Sequence, residues 1–157
     1  MTNEQRSPHF NHVAMSMPAE LLGADGRRDI CDFYGEVFGW EEMPTMTLDR
    51  KRLVLQAYSF EQFVFLIAGD EEPMRCPRLD HFGMSVGTLG ELEEMEKRAR
   101  TYRERDDRVD IVDRSVERHA DVLDLHNFYV GFLLPMMVEV QYYDWDREAV
   151  DAVAERS

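Results

Sequence analysis

The residues with the most chemical potential in this chain are two histidines and one carboxylate. His12 opens the segment His12-Val-Ala-Met15-Ser16, and the same pattern recurs as His81-Phe-Gly-Met84-Ser85. Glu139 sits inside the apolar run Leu133-Leu-Pro-Met-Met-Val-Glu-Val-Gln-Tyr-Tyr143. An ionised glutamate in such a run is costly to desolvate unless something pairs with it. Two imidazoles and one carboxylate form the facial triad that binds Fe(II) and leaves open positions for substrate and dioxygen, and Mn, Zn, Co or Ni accept the same donors. A plainer reading of the same residues also stands: strand histidines satisfied by hydrogen bonds in a core, and Glu139 on a solvent face beside Gln141.

The elements that would position these residues come from hydrophobic patterning. Asn11 to Met17 is short, apolar and ended by Pro18, which suits a strand. Ile30, Phe33, Tyr34, Val37 and Phe38 fall on one face of an amphipathic helix, stopped by Gly39. Three strands are predicted next, over Trp40 to Thr47, Arg52 to Tyr58 and Phe63 to Gly69. The stretch Asp70 to Arg78, with two prolines and mixed charge, reads as an ordered crossover. The pattern then restarts. Leu79 to Val86 is a strand, and Leu89 to Glu104 is a helix with Leu92, Met95, Ala99 and Tyr102 on one face. Three more strands are expected over Asp110 to Val116, His126 to Leu133 and Met136 to Tyr143. The intervening Glu117 to Leu125 carries little pattern. Asp146 to Ser157 (146–157) reads as a helical tail, a cover or dimer contact rather than a site.

The chain is therefore α+β, with two βαβββ modules over residues 8–69 and 79–145 of one duplicated domain spanning 8–145. The closing strands align as Phe63-Val-Phe65-Leu66 against Met137-Val-Glu139-Val140, which makes Phe65 the counterpart of Glu139. Alternation along a strand puts His12 on a face with Ala14 and Ser16, His81 with Gly83 and Ser85, and Glu139 with Met137 and Gln141. If two such sheets curve together, His12, His81 and Glu139 converge across a pseudo-twofold axis.

Composition narrows the possible partners. Among 157 residues, 32 are acidic and 18 basic, a net charge of −14 that repels phosphate backbones and disfavours nucleic acid. The N-terminal segment has no apolar leader, and no stretch approaches the ~20 apolar residues of a membrane span, so a cytoplasmic protein without membrane contact is expected. Cys31 and Cys76 are too few for a disulfide framework and lack the spacing for zinc.

The paired modules, the Phe33-Tyr-Gly-Glu-Val-Phe-Gly-Trp40 segment, and His12, His81 and Glu139 on the first, fifth and eighth strands resemble the vicinal oxygen chelate superfamily. That superfamily includes glyoxalase I, bleomycin-resistance proteins, fosfomycin-resistance thiol transferases and extradiol dioxygenases. The resemblance implies a glyoxalase-like domain with a half-open, barrel-shaped mixed-sheet cavity, and His12, His81 and Glu139 as metal ligands. It also implies a small-molecule substrate and a homodimer. Glyoxalase-type isomerases add a fourth ligand where this chain has Phe65, with Gln62 nearby but on the other face, whereas extradiol dioxygenases use only the His, His, Glu set. Tyr129 resembles the tyrosine that precedes their glutamate, while His126 and His119 are the candidates for their acid or base histidine by sequence proximity alone. Phe132-Leu-Leu-Pro135 replaces the usual polar turn before the last strand.

These features imply an extradiol-dioxygenase-like enzyme with Fe(II) or Mn(II), Zn or Ni being the other metals considered. Phe63, Phe65, Ser85, Met137 and Gln141 would line its pocket, with Tyr129 and His126 as catalytic side chains. The competing expectations are a lyase, isomerase or thiol transferase with Zn, Ni or Mn, and a metal-free binding protein of the bleomycin-resistance kind.

Overall fold

The computed structural model describes residues 8–69, 71–148 and 150. They form two compact units, one reaching Met74 and one from Arg75 onward, with the last helical turn Glu36–Phe38 grouped with the second. Each unit holds one four-stranded mixed sheet. The predicted tail 146–157 falls largely outside the described residues. No helix among the described residues is long and apolar enough to cross a membrane.

In the first unit, β1 (His12–Met17), β2 (Glu41–Glu42), β3 (Arg52–Ser59) and β4 (Gln62–Ala68) lie in the order β1-β4-β3-β2. The β1–β4 pair is parallel and the others are antiparallel. Met15, Met17, Leu53, Leu55, Val64 and Leu66 are buried. The registers Met15↔Leu66, Leu53↔Leu66 and Leu55↔Val64 put them on one face. Helix α1 (Ala24–Phe38) ends at Gly39, whose φ of 72° is the left-handed conformation that glycine adopts without strain. Its apolar side chains Ile30, Phe33, Tyr34 and Val37 are fully buried, and the Tyr34 ring stacks on Trp40 at 4.9 Å.

The strand predicted over Trp40 to Thr47 shrinks to Glu41–Glu42. Pro44 has no N–H to give to a ladder, and the Met46 and Thr47 amides turn back to the Met43 carbonyl at 3.0 and 3.1 Å.

The second unit repeats the order: β5 (His81–Ser85), β6 (Asp110–His119), β7 (Leu123–Gly131) and β8 (Met137–Trp145) lie as β5-β8-β7-β6. Its registers His81↔Met137 and Gly83↔Glu139 match His12↔Phe63 and Ala14↔Phe65 of the first unit. Phe65 and Glu139 thus hold equivalent positions, as the sequence alignment requires. The stretch Glu117 to Leu125 is the far end of a β6–β7 hairpin whose turn places Ala120 and Asp121 at positive φ. Most of β6 is exposed on both faces, so no alternation of apolar and polar residues marked it.

Helix α2 (Leu89–Arg103) covers one face of this sheet, in contact with β6, β7 and β8. Leu92, Ala99 and Tyr102 of the helix and Ile111, Phe128, Val130, Val138 and Val140 of the strands are buried. Its start is a capping box: the Thr88 hydroxyl accepts from the Glu91 amide, and the Glu91 carboxylate accepts from the Thr88 amide. On its outer side Arg114 of β6 meets Glu93 at 2.6 Å, and Arg100 bridges Glu96 and Asp113 at 2.7 and 2.8 Å. These ion pairs hold the helix in orientation, and their exposure limits each to about 1 kcal/mol or less.

Two substitutions probe this arrangement by chemical denaturation. Phe128→Ala, which empties a fully buried aromatic site, is expected to cost about 3–5 kcal/mol. Thr88→Ala, which removes only the cap, is expected to cost about 1 kcal/mol.

Candidate functional site

The face of the second sheet opposite α2 carries the polar residues. Alternation places Met137, Glu139, Gln141 and Tyr143 of β8 on this face, with Asn127 and Tyr129 of β7 and His81, Gly83 and Ser85 of β5 beside them. Among the described residues the buried polar side chains are Asn127 and Glu139, 2% and 5% exposed. They bond to each other: the Asn127 amide donates to Glu139 Oε1 at 2.9 Å. The other carboxylate oxygen, Oε2, accepts from the Gln141 amide at 2.9 Å and lies 3.2 Å from His81 Nε2.

The imidazole has a fixed tautomer. His81 Nδ1 is 2.8 Å from the Leu79 carbonyl, which can only accept, so Nδ1 carries a proton and Nε2 faces the carboxylate. A neutral ring would then direct a lone pair at a carboxylate oxygen. Two acceptors at this distance repel each other unless a positive charge lies between them, either a proton on Nε2 or a metal cation. Metal-ligating histidines characteristically anchor the second ring nitrogen on a carbonyl in this manner. The separation also fits two ligands side by side on one cation, since typical bonds of about 2.0–2.2 Å to each donor leave them roughly 3 Å apart. His81 and Glu139 therefore have the chemistry and spacing of a donor pair, and the His81 side chain is 37% exposed, open to an approaching ligand.

Tyr129 pairs with Glu139 across the β7–β8 ladder, and its ring meets the His81 ring edge-on at 4.9 Å. Burial, with the Glu139 carboxylate adding to it, pushes the Tyr129 phenol up to about 12. Met137 packs over Gly131, and Ser85 lies exposed at the register position of Gln141.

His126 does not join this group. Its neighbours Leu125 and Asn127 point to the other face of β7, and the His126 ring lies on the face opposite Asn127, 5.8 Å from Tyr142. Strand alternation thus puts His126 on the face opposite His81 and Glu139. His119 ends β6 beside Glu117, at 3.5 Å, on the exposed hairpin. In the first unit, His12 is exposed, takes Asn11 Oδ1 at 2.8 Å and stacks on Phe63 with ring centres 5.0 Å apart. Phe65 follows on the same face of β4. Among the described residues no three His, Cys, Asp or Glu side chains form a metal-holding group, so His81 and Glu139 are described as a pair within their unit.

Comparison with solved structures bears on the fold. A glyoxalase/bleomycin resistance protein/dioxygenase from Alicyclobacillus acidocaldarius superposes with a TM-score of 0.57 at 20% identity, covering 94% of this chain and 98% of that one. This is the glyoxalase-type, or vicinal oxygen chelate, fold. A family enzyme of the same description from Burkholderia phytofirmans PsJN matches the fold with a TM-score of 0.59 at 9% identity over 84% of this chain and 96% of its own. Lactoylglutathione lyase from Agrobacterium tumefaciens matches at 0.57 and 16% identity, over 88% and 96%. No family model and no curated protein matches the sequence. At these identities the vicinal oxygen chelate fold is shared, and the side chains of the site have to speak for the chemistry.

Sequence reasoning missed Asn127, Ser115 and Tyr143. Asn127 carried a signal, being a polar residue in an apolar strand opposite Gln141, but its importance depends on the register between β7 and β8.

The tyrosine offers a direct measurement. With its pKa raised, Tyr129 favours the fold as a neutral phenol, a contribution complete below pH about 10 and lost as pH rises through about 12. Absorbance titration of phenolate is expected to show a component near 12 that is absent from Tyr129→Phe, with stability declining over the same interval.

Proposed function

We propose that this chain is a metal-dependent enzyme of the vicinal oxygen chelate type, extradiol-dioxygenase-like, acting on a small aromatic substrate with two adjacent oxygens. The observation that carries the proposal is the His81 Nε2 and Glu139 Oε2 pair, a ring nitrogen with its other nitrogen on a carbonyl, 3.2 Å from a buried carboxylate oxygen. The sequence resemblance adds His12, which holds in the first unit the register position that His81 holds in the second, as a donor to be tested. A divalent metal, Fe(II) or Mn(II), would serve there as Lewis acid and as template for the paired oxygens.

The protein's own part is positional. Leu79 and Asn127 orient the imidazole and the carboxylate, and Tyr129 borders both. The neutral phenol of Tyr129 hydrogen-bonds the Glu139 carboxylate and keeps an oxygen lone pair that can accept from a substrate hydroxyl. Within the second unit Met137 supplies apolar surface beside the pair, with Ser85 and Gln141 as polar neighbours, and in the first unit Phe65 holds the register position that Glu139 holds in the second.

A second reading keeps the donors and changes the reaction to a lyase, isomerase or thiol transferase with Zn or Ni. The lactoylglutathione lyase among the structural matches favours it, and the apolar Phe65 weighs against it. In a metal-free binding protein of the bleomycin-resistance kind, the His81–Glu139 contact would be an ordinary ion pair with the proton on Nε2.

Elemental analysis with oxygen-uptake assays separates the three. Reconstituted anaerobically with Fe(II), the full-length protein is expected to hold stoichiometric metal and to consume oxygen with at least one member of a catechol panel. His12→Ala, His81→Ala and Glu139→Gln are each expected to lose the metal. Equal, near-zero metal in the native protein and in His81→Ala overturns both metal readings, while activity retained in air with Zn or Ni selects the second.

A further inference from the structure

The carboxylate of Glu139 is held by an amide on each oxygen, and each amide is itself oriented by a hydroxyl. An ionised carboxylate only accepts hydrogen bonds, so Asn127 and Gln141 must both turn their NH2 groups toward it. Their carbonyl oxygens then point away and need donors. Ser115 Oγ donates to Asn127 Oδ1 at 2.5 Å, and Tyr143 Oη donates to Gln141 Oε1 at 2.7 Å. The carboxylate sets which way each amide faces, since a flip would turn a carbonyl oxygen toward it, and the hydroxyls then hold the far end of each amide by donating to its carbonyl. The five side chains come from three adjacent strands at matched registers, Ser115↔Asn127 and Asn127↔Gln141, beside the bulge between Val112 and Ser115 in β6. That bulge shifts the alternation of β6 and so decides which of its residues faces Asn127.

From this geometry we infer that Asn127 and Gln141 are positioning residues, fixed by Ser115 and Tyr143, which hold Glu139 so that it offers Oε2 alone toward His81 Nε2. Oε1 is held back on the Asn127 side, so the carboxylate presents one oxygen to a cation rather than two. The inference rests on the metal reading of the His81–Glu139 pair and extends it to a specified mode of attachment. A buried carboxylate free to rotate could present either oxygen or both, and the donor set would accept cations of several sizes. With the rotation fixed before the cation arrives, the affinity no longer includes the cost of ordering that side chain.

The test uses Co(II) as probe with the full-length protein, reading affinity by titration and coordination by the visible absorption bands. Wild type is expected to bind Co(II), and Asn127→Ala and Gln141→Ala to bind it about 10- to 100-fold more weakly with shifted bands. Because Asn127 is buried and its loss disturbs packing, Ser115→Ala and Tyr143→Phe provide milder variants at exposed positions. Each is expected to shift the bands and weaken binding by less, with thermal stability near that of wild type. Ser115→Thr, which keeps the hydroxyl, is expected to restore the wild-type spectrum. Wild-type affinity and spectrum in all four hydroxyl and amide deletions overturn the positioning role and leave the metal reading intact. No Co(II) binding by wild type overturns the metal reading and the positioning role together.

Discussion

A charged carboxylate sunk into the face of a β-sheet is the constraint around which the second unit is organised. Left alone, the Glu139 group would cost several kcal/mol to desolvate, and the fold answers with neighbours rather than with a shifted location. Asn127 and Gln141 supply neutral donors, His81 supplies a ring nitrogen, and Gly83 leaves the β5 side without a side chain to cover the oxygen. Each of these contacts needs β8 in register with both its neighbours. A slip of one residue would turn Glu139 into the layer under α2, where Val138 and Val140 now pack. The apolar face and the polar face are therefore mutually dependent, since the burial of one sets the register that assembles the other.

The same scaffold without the carboxylate is visible in the first unit. Both sheets have the same strand order and both open with a histidine at the same register, yet Phe65 replaces Glu139 and Phe63 stacks on His12 where Met137 lies beside His81. The two units thus share strand order and register and differ on the histidine-bearing face, with Phe63 and Phe65 in the first where the second has Met137 and Glu139. Function on this fold is carried by a few outward-facing positions on strands whose inward positions are fully committed to the core.

The large negative charge plays a different part. Much of the acidic surface on α2 and β6 is engaged with arginines, as in the Arg78–Asp110 pair, where the guanidinium holds the Asp110 carboxyl below its ordinary value. Such pairs are exposed and individually weak, and their number orients elements more than it stabilises them. Among the described residues Glu139 differs from the other acidic residues in being buried with a side-chain amide on each oxygen.

Much of this was legible in the residues themselves. The repeated histidine segments, the two amphipathic helices, the stop at Gly39 and the equivalence of Phe65 and Glu139 follow from hydrophobic period and local turn chemistry, which are properties of neighbouring residues along the chain. What escaped was whatever depends on pairing between strands distant in sequence. The short β2 followed from Pro44 and a turn that competes with the ladder, and the exposed β6–β7 hairpin left no apolar period to read. His126 looked close to the site in sequence and is removed from it by a single step of alternation, whereas Asn127, one residue on, lies at its centre. The types of residue available for chemistry were set by the sequence alone. Which oxygen of Glu139 meets His81, and which amides hold the other, was decided by the registers of β5, β7 and β8, because a contact a few ångströms long is fixed only when packing on the opposite face has locked three strands together.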